Sequence, residues 1–187
     1  MSKLNLKLAK LGLATGILLI TSGCASLMSD NPRDRSISTI IADEELELAA
    51  VKSMFKSDDL WNKSDIDIVS FNRTILLVGQ TPTNTLKQKA GELVQKLEDV
   101  KKVYNEIRVA APASSLTYVS DLSLTSKVKT SLFLEDDFNS SNIKVLTEDG
   151  EVFLMGLVTS QQATRAIEVA RNISGVKRVI QAFEIIE

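Results

Sequence analysis

The chain holds one cysteine and no histidine among its 187 residues. Without imidazole it lacks the commonest general base, the Ser-His and Cys-His nucleophile pairs and most zinc sites. Carboxylate chemistry remains. The acidic residues, however, cluster in helix faces and turns, as in "ADEE" at Ala42, "LEDD" at Leu134 and "TEDG" at Thr147, where solvation or capping accounts for them. There is no phosphate loop and no dinucleotide-binding glycine pattern. These residues predict a protein that is not an enzyme and binds neither metal nor cofactor. The one residue left with a chemical task is Cys24.

Cys24 closes a segment laid out as a secretory signal peptide. Lys3, Lys7 and Lys10 form a positive start, "LGLATGILLI" is an apolar core too short to span a bilayer, and "TSGC" ends it. Ser22, Gly23 and Cys24 resemble a lipobox, although Thr21 stands where leucine is usual. That resemblance implies cleavage after residue 23, with diacylglyceryl and fatty acyl (palmitate-type) chains on Cys24. Ala25 in place of aspartate implies export to the outer membrane. The alternative is an ordinary secreted protein cut elsewhere, but a lone cysteine at the one place a lipid attaches favours the anchor.

Loss of residues 1–23 removes three lysines and leaves nineteen basic against twenty-four acidic residues. The mature chain is net acidic, which argues against nucleic acid as a partner. No second cysteine exists to form an internal disulfide.

The elements follow from an internal repeat. Shifted by 77, the chain overlays Val51 on Val128, Ile66 on Ile143, Leu77 on Leu154 and Gly79 on Gly156; a shift of 76 overlays "VKKV" at Val100 on "VKRV" at Val176. Each copy reads as helix, strand, strand, helix, strand. The first helix places Leu48, Val51 and Phe55 on one face in copy one, and Leu124, Val128 and Leu132 in copy two. The strands "DIDIVS" and "NIKVLT" alternate, and "TILLVG" and "EVFLMG" follow. "EDGE" is a strong hairpin turn, whereas "FNRT" predicts a looser one. Second helices are expected behind Thr83 and Ser160 as N-caps, with Leu86, Ala90, Leu93, Val94 and Leu97, or Ala163, Ala166, Ile167, Ala170 and Ile173, facing the core. Gly79 and Gly156 read as structural glycines that permit a positive φ or a close backbone approach. The predicted class is α+β, with two helices on a three-stranded sheet in each unit. The expected map is a signal peptide over 1–23, a lipidated cysteine and tether over 24–43, one unit over 44–110, a linker over 111–120 and a second unit over 121–187.

This combination resembles the BON-domain family, on "VYNEI" at Val103, "EDGEVFLMGLVT" at Glu148 and "SGVKRV" at Ser174, together with the lipobox-like start. The match runs from Cys24 to Glu187. It is most like the lipoproteins with two BON domains in the outer membrane of Gram-negative bacteria. The resemblance implies phospholipid binding through the second domain, support of outer-membrane integrity, gathering at cell-division sites and a face toward the periplasm.

Under the 77-residue shift, the first helix of copy two differs from its counterpart. Leu122, Ser126, Lys129 and Phe133 form a stripe about 120° from the core positions and overlay Glu45, Ala49, Lys52 and Lys56. Leu134 replaces Ser57, and Lys127 adds charge. Apolar groups beside lysines suit the surface of an anionic phospholipid membrane, and these six residues are the candidate lipid site. The same stripe could instead dock an envelope protein, as in a chaperone-like accessory factor for envelope assembly. A third reading is a soluble periplasmic stress protein. Trp61 overlays Phe138, a pairing that favours a structural role for both.

Overall fold

In the central strands, apolar residues run on without alternation because both faces are buried. The computed structural model describes residues 36–135 and 142–187. Cys24 and Phe138 lie outside the described residues. The elements are α1 (Ile37–Phe55), α2 (Asp58–Lys63), β1 (Asp65–Phe71), β2 (Thr74–Thr81), α3 (Asn84–Gln95), β3 (Lys102–Asn105), β4 (Arg108–Val109), α4 (Ser115–Phe133), β5 (Ile143–Glu148), β6 (Glu151–Val158), α5 (Ser160–Arg171) and β7 (Arg178–Ile185). In each unit the hairpin is antiparallel and the last strand pairs parallel with the middle one, giving the orders β1-β2-β3 and β5-β6-β7, with β4 extending the first sheet beside β2. The α+β class and the duplicated unit are as the sequence predicts.

Alternate residues of the middle strands serve two cores. Ile75 and Leu77 join Leu46, Ala50, Met54, Leu86, Ala90 and Val94 beneath α1 and α3. Val152 and Leu154 join Val128, Leu132, Ala163, Ala166 and Ala170 beneath α4 and α5. The other faces pack sheet against sheet, with Phe71, Leu76 and Val78 meeting Phe153, Met155 and Ala182. The described residues therefore form one compact unit of four layers, with helices outside and sheets inside.

Polar contacts across the sheets are arranged as a pseudo-twofold. The first hairpin turn meets the last strand of the second copy, Asn72 Nδ2 donating to Glu184 at 2.7 Å, and the second turn meets β4 of the first, with Arg108 2.9 Å from Asp149. Lys144 on β5 reaches Glu47 on α1 at 3.0 Å and the Ser70 carbonyl on β1 at 2.8 Å. Gln80 donates to Glu148 at 2.6 Å in the buried interior.

Both first helices span nineteen residues behind a serine N-cap, Ser36 and Ser114, and their buried residues correspond: Asp43 with Asp121, Leu46 with Leu124, Ala50 with Val128, Met54 with Leu132. The helices are thus related by a shift of 78, the hairpins by 77 and the second helices by 76. The uniform 77 is one residue out in each helix. Leu48 and Phe55 are consequently exposed and not core, at 50% and 61%. In copy two the second-helix cap is Thr159, where a capping box with Gln162 satisfies the N-terminus; Ser160 is the first helical residue. Both first helices also begin earlier than expected, α1 taking in residues 37–43 and α4 taking in residues 115–120 of the stretches read as tether and linker. The short α2 is an addition, and Ile107, fully buried, interrupts the last strand of copy one.

"FNRT" makes as tight a turn as "EDGE". Asn72 and Arg73 have φ of 50° and 63°, against 49° and 76° for Asp149 and Gly150, so both are two-residue turns with two left-handed positions. A buried carboxylate supplies what the sequence of the first turn lacks. Asp43 accepts from the Asn72 and Arg73 amides, each at 2.8 Å, and from the Ser70 hydroxyl at 2.7 Å. Asp121 accepts from the Asp149 and Gly150 amides at 2.7 and 2.8 Å. Gly79 and Gly156 face the backbone at the start of the partner strand, where a β-carbon would collide with the carbonyl oxygens of Asp65 and Asn142; Gly79 also has φ of 113°.

Candidate membrane-facing helix

Four inward groups fix the rotation of α4. Leu124, Val128 and Leu132 fill the core, and Asp121 is tied to the hairpin turn. Thr125 adds a 2.8 Å hydrogen bond to Thr147 on β5. At the far end Arg165 on α5 grips Glu135 through two hydrogen bonds of 2.7 and 3.2 Å, and this pairing raises the Arg165 pKa. With the helix held at its middle and its end, its other side must face solvent.

All six candidate residues are on that side. Leu122 is 41% exposed, Phe133 74% and Leu134 73%, and Ser126, Lys127 and Lys129 are exposed as well. They do not form a single stripe. At 100° per residue Leu122, Ser126, Lys129 and Phe133 share one flank, while Lys127 and Leu134 share the other. Leu116 and Val119, 83% and 63% exposed, extend the apolar surface toward the N-terminus. These two lie in the stretch read as linker; the correspondence of Ser114 with Ser36 was the signal that could have placed them in the helix.

The shift of 78 changes the comparison between copies. Phe133 corresponds to Phe55, so the aromatic is common to both helices, and Phe55 stacks edge-on against half-buried Trp61 with ring centroids 5.3 Å apart. Leu134 corresponds to Lys56, and Leu122, Ser126, Lys127 and Lys129 correspond to Glu44, Leu48, Ala49 and Val51. Charge is what separates the helices. Between Ser115 and Phe133 the only acidic residue is buried Asp121, so the exposed surface of α4 carries Lys127 and Lys129 alone. The outer surface of α1 carries Glu44 and Glu45 as well as Lys52.

Among the described residues no group of three or more metal-ligating side chains comes together, and no helix is long and apolar enough to cross a membrane.

A family model described as the BON domain matches residues 43–111 and 120–187. The chain is 34% identical over 190 residues to "Outer membrane lipoprotein DolP" of Haemophilus influenzae, covering 96% of this chain and 97% of that protein. It is 35% identical to "21 kDa hemolysin" of Actinobacillus pleuropneumoniae, with 82% and 79% coverage. It is 31% identical to "Osmotically-inducible protein Y" of Escherichia coli, with 73% and 70% coverage.

Proposed function

The chain belongs to the BON-domain family, and from that premise we propose that it is a non-catalytic lipoprotein of the outer membrane, facing the periplasm. Cys24 carries the acyl chains. The outer surface of α4 binds anionic phospholipid, Leu122, Phe133 and Leu134 entering the interface while Lys127 and Lys129 pair with headgroups. The biological output is outer-membrane integrity, exerted at the division site. The observation that carries this reading is the charge of α4: exposed large apolar groups accompanied by lysines and, from Ser115 to Phe133, by no exposed carboxylate. A name that places a relative of nearly full coverage in the outer membrane as a lipoprotein supports the location. The tether makes a weak second contact effective, because an anchored domain meets the bilayer at high local concentration.

The test is sedimentation of the chain from residue 25 onward with vesicles of phosphatidylglycerol and of phosphatidylcholine. Binding to the first only is expected, and Lys127→Glu with Lys129→Glu should weaken it about thirtyfold or more, given roughly 1 kcal/mol per cation near an anionic surface. Undiminished binding of that variant sinks the assignment. Photocrosslinking from position 133 in cells separates the alternative occupant, since a discrete protein adduct would make the surface a docking site for an envelope protein.

A further inference from the structure

The first turns of α1 carry three exposed isoleucines, Ile37, Ile40 and Ile41, at 64%, 43% and 54% exposure. The same turns give Ser38, Thr39 and Ala42 to a cleft of about 270 Å³ on the neighbouring side of the helix, completed by Asn72 and Arg73 of the hairpin turn and by Lys101. Lys101 forms no ion pair among the described residues, while Arg73 is shared with Asp99 at 3.3 Å, both side chains remaining exposed. A surface that sets apolar side chains beside a cleft with two cations matches the boundary between lipid headgroups and acyl chains.

The second domain acts as an internal control. There the corresponding residues are Leu116, Thr117, Ser120, Asp149, Gly150 and Lys177. Lys177 binds Asp149 at 3.0 Å and its side chain packs 3.1 Å from the β-carbon position of Gly150. Arg108 takes the other oxygen of Asp149 at 2.9 Å, and the two cations hold the Asp149 carboxyl below its ordinary pKa. The cations of the second domain are already engaged, whereas among the described residues Lys101 has no ion-pair partner.

We propose that this cleft of the first domain binds the phosphate of an anionic phospholipid headgroup, with Ile37 and Ile41 entering the interface beside it. The membrane is the occupant because of where the chain comes from. Eleven residues separate Cys24 from Ser36, so even fully extended the twelve steps of chain hold the start of α1 within roughly 40 Å of the anchoring acyl chains. Glu44 and Glu45 confine the contact to the first two turns. The assignment rests on the lipoprotein reading, but it uses a different helix from the α4 surface. The edge strands beneath the two helices adjoin where Lys144 reaches Ser70 and Glu47.

The experiment uses residues 25–187, which contain the whole compact unit and no cysteine. Ile41→Cys and Phe133→Cys are each labelled with an environment-sensitive fluorophore. Phosphatidylglycerol vesicles should blue-shift the label at 41, while phosphatidylcholine vesicles and inorganic phosphate alone should not. Arg73→Gln with Lys101→Gln should weaken the response at 41 about thirtyfold, at roughly fivefold per cation, and Lys177→Gln should leave it unchanged. A label at 41 that stays silent while the label at 133 responds overturns the cleft and leaves the α4 reading standing. Silence at 133 with a response at 41 does the reverse. A response at 41 that is insensitive to the double variant, or equally strong with inorganic phosphate, also overturns the proposal. Circular dichroism melts of each variant separate loss of binding from loss of fold.

Discussion

Asp43 and Asp121 are the most informative single residues of the fold. Each buries a carboxylate under a helix and spends it on the amides of a hairpin turn. Removing either takes the acceptor from two turn amides that are partly or fully buried, a loss of about 3 kcal/mol. Asp43→Ala should cost about 1 kcal/mol more than Asp121→Ala, because Asn72 and Arg73 must hold left-handed conformations that Gly150 adopts freely at its position. Urea midpoints of the two variants check the ranking. Glu47 supplies the pH dependence. Burial raises its pKa from 4.5, and the Lys144 ammonium only partly opposes this. For an acid raised in the folded state, the stabilising contribution is complete below the ordinary value and is lost as pH rises through the raised one. Stability should therefore fall as pH climbs from about 4.5, and Glu47→Gln should flatten that part of the profile; denaturation at several pH values measures it.

Element order was readable from the sequence because strand alternation, the Asp-Gly turn and the internal repeat all pointed the same way. Helix register was not. Along α1 two apolar stripes share the helical period, Leu48–Val51–Phe55 and Leu46–Ala50–Met54, and hydrophobicity alone prefers the first. The second is buried because α1 must also bring Asp43 to the turn. The inserted residue that shifts the register falls between helix and strand, where no periodicity marks it. The candidate surface was legible in part. Lys127, Lys129 and Phe133 stood out, but Phe133 did so against Lys56 when its true counterpart is Phe55. The charge contrast between α4 and α1 survives the correction. Because the outer residues of α4 make no core contact, Phe133→Ser and Lys129→Gln should change stability by less than about 0.5 kcal/mol. A larger loss in thermal melts would mean that this surface is packed.

At the scale of the whole molecule, duplication has produced one folding unit. The sheet faces that helices leave bare are closed by each other, through Phe71, Leu76 and Val78 against Phe153, Met155 and Ala182, with polar contacts from each turn to the other copy's last strand. Calorimetry should record a single transition with matching calorimetric and van't Hoff enthalpies. Phe153→Ala, expected to cost about 3–5 kcal/mol, should destabilise both domains together; two separated transitions in the native chain would refute the shared core. The most direct measurement is an amide NMR titration of residues 25–187 with phosphatidylglycerol nanodiscs. The account predicts perturbations in α4, between Leu122 and Leu134, with a separate second set at residues 37–42, Asn72, Arg73 and Lys101 from the first-domain cleft. Amides of α4 that stay still while the protein binds the discs through another surface would contradict it.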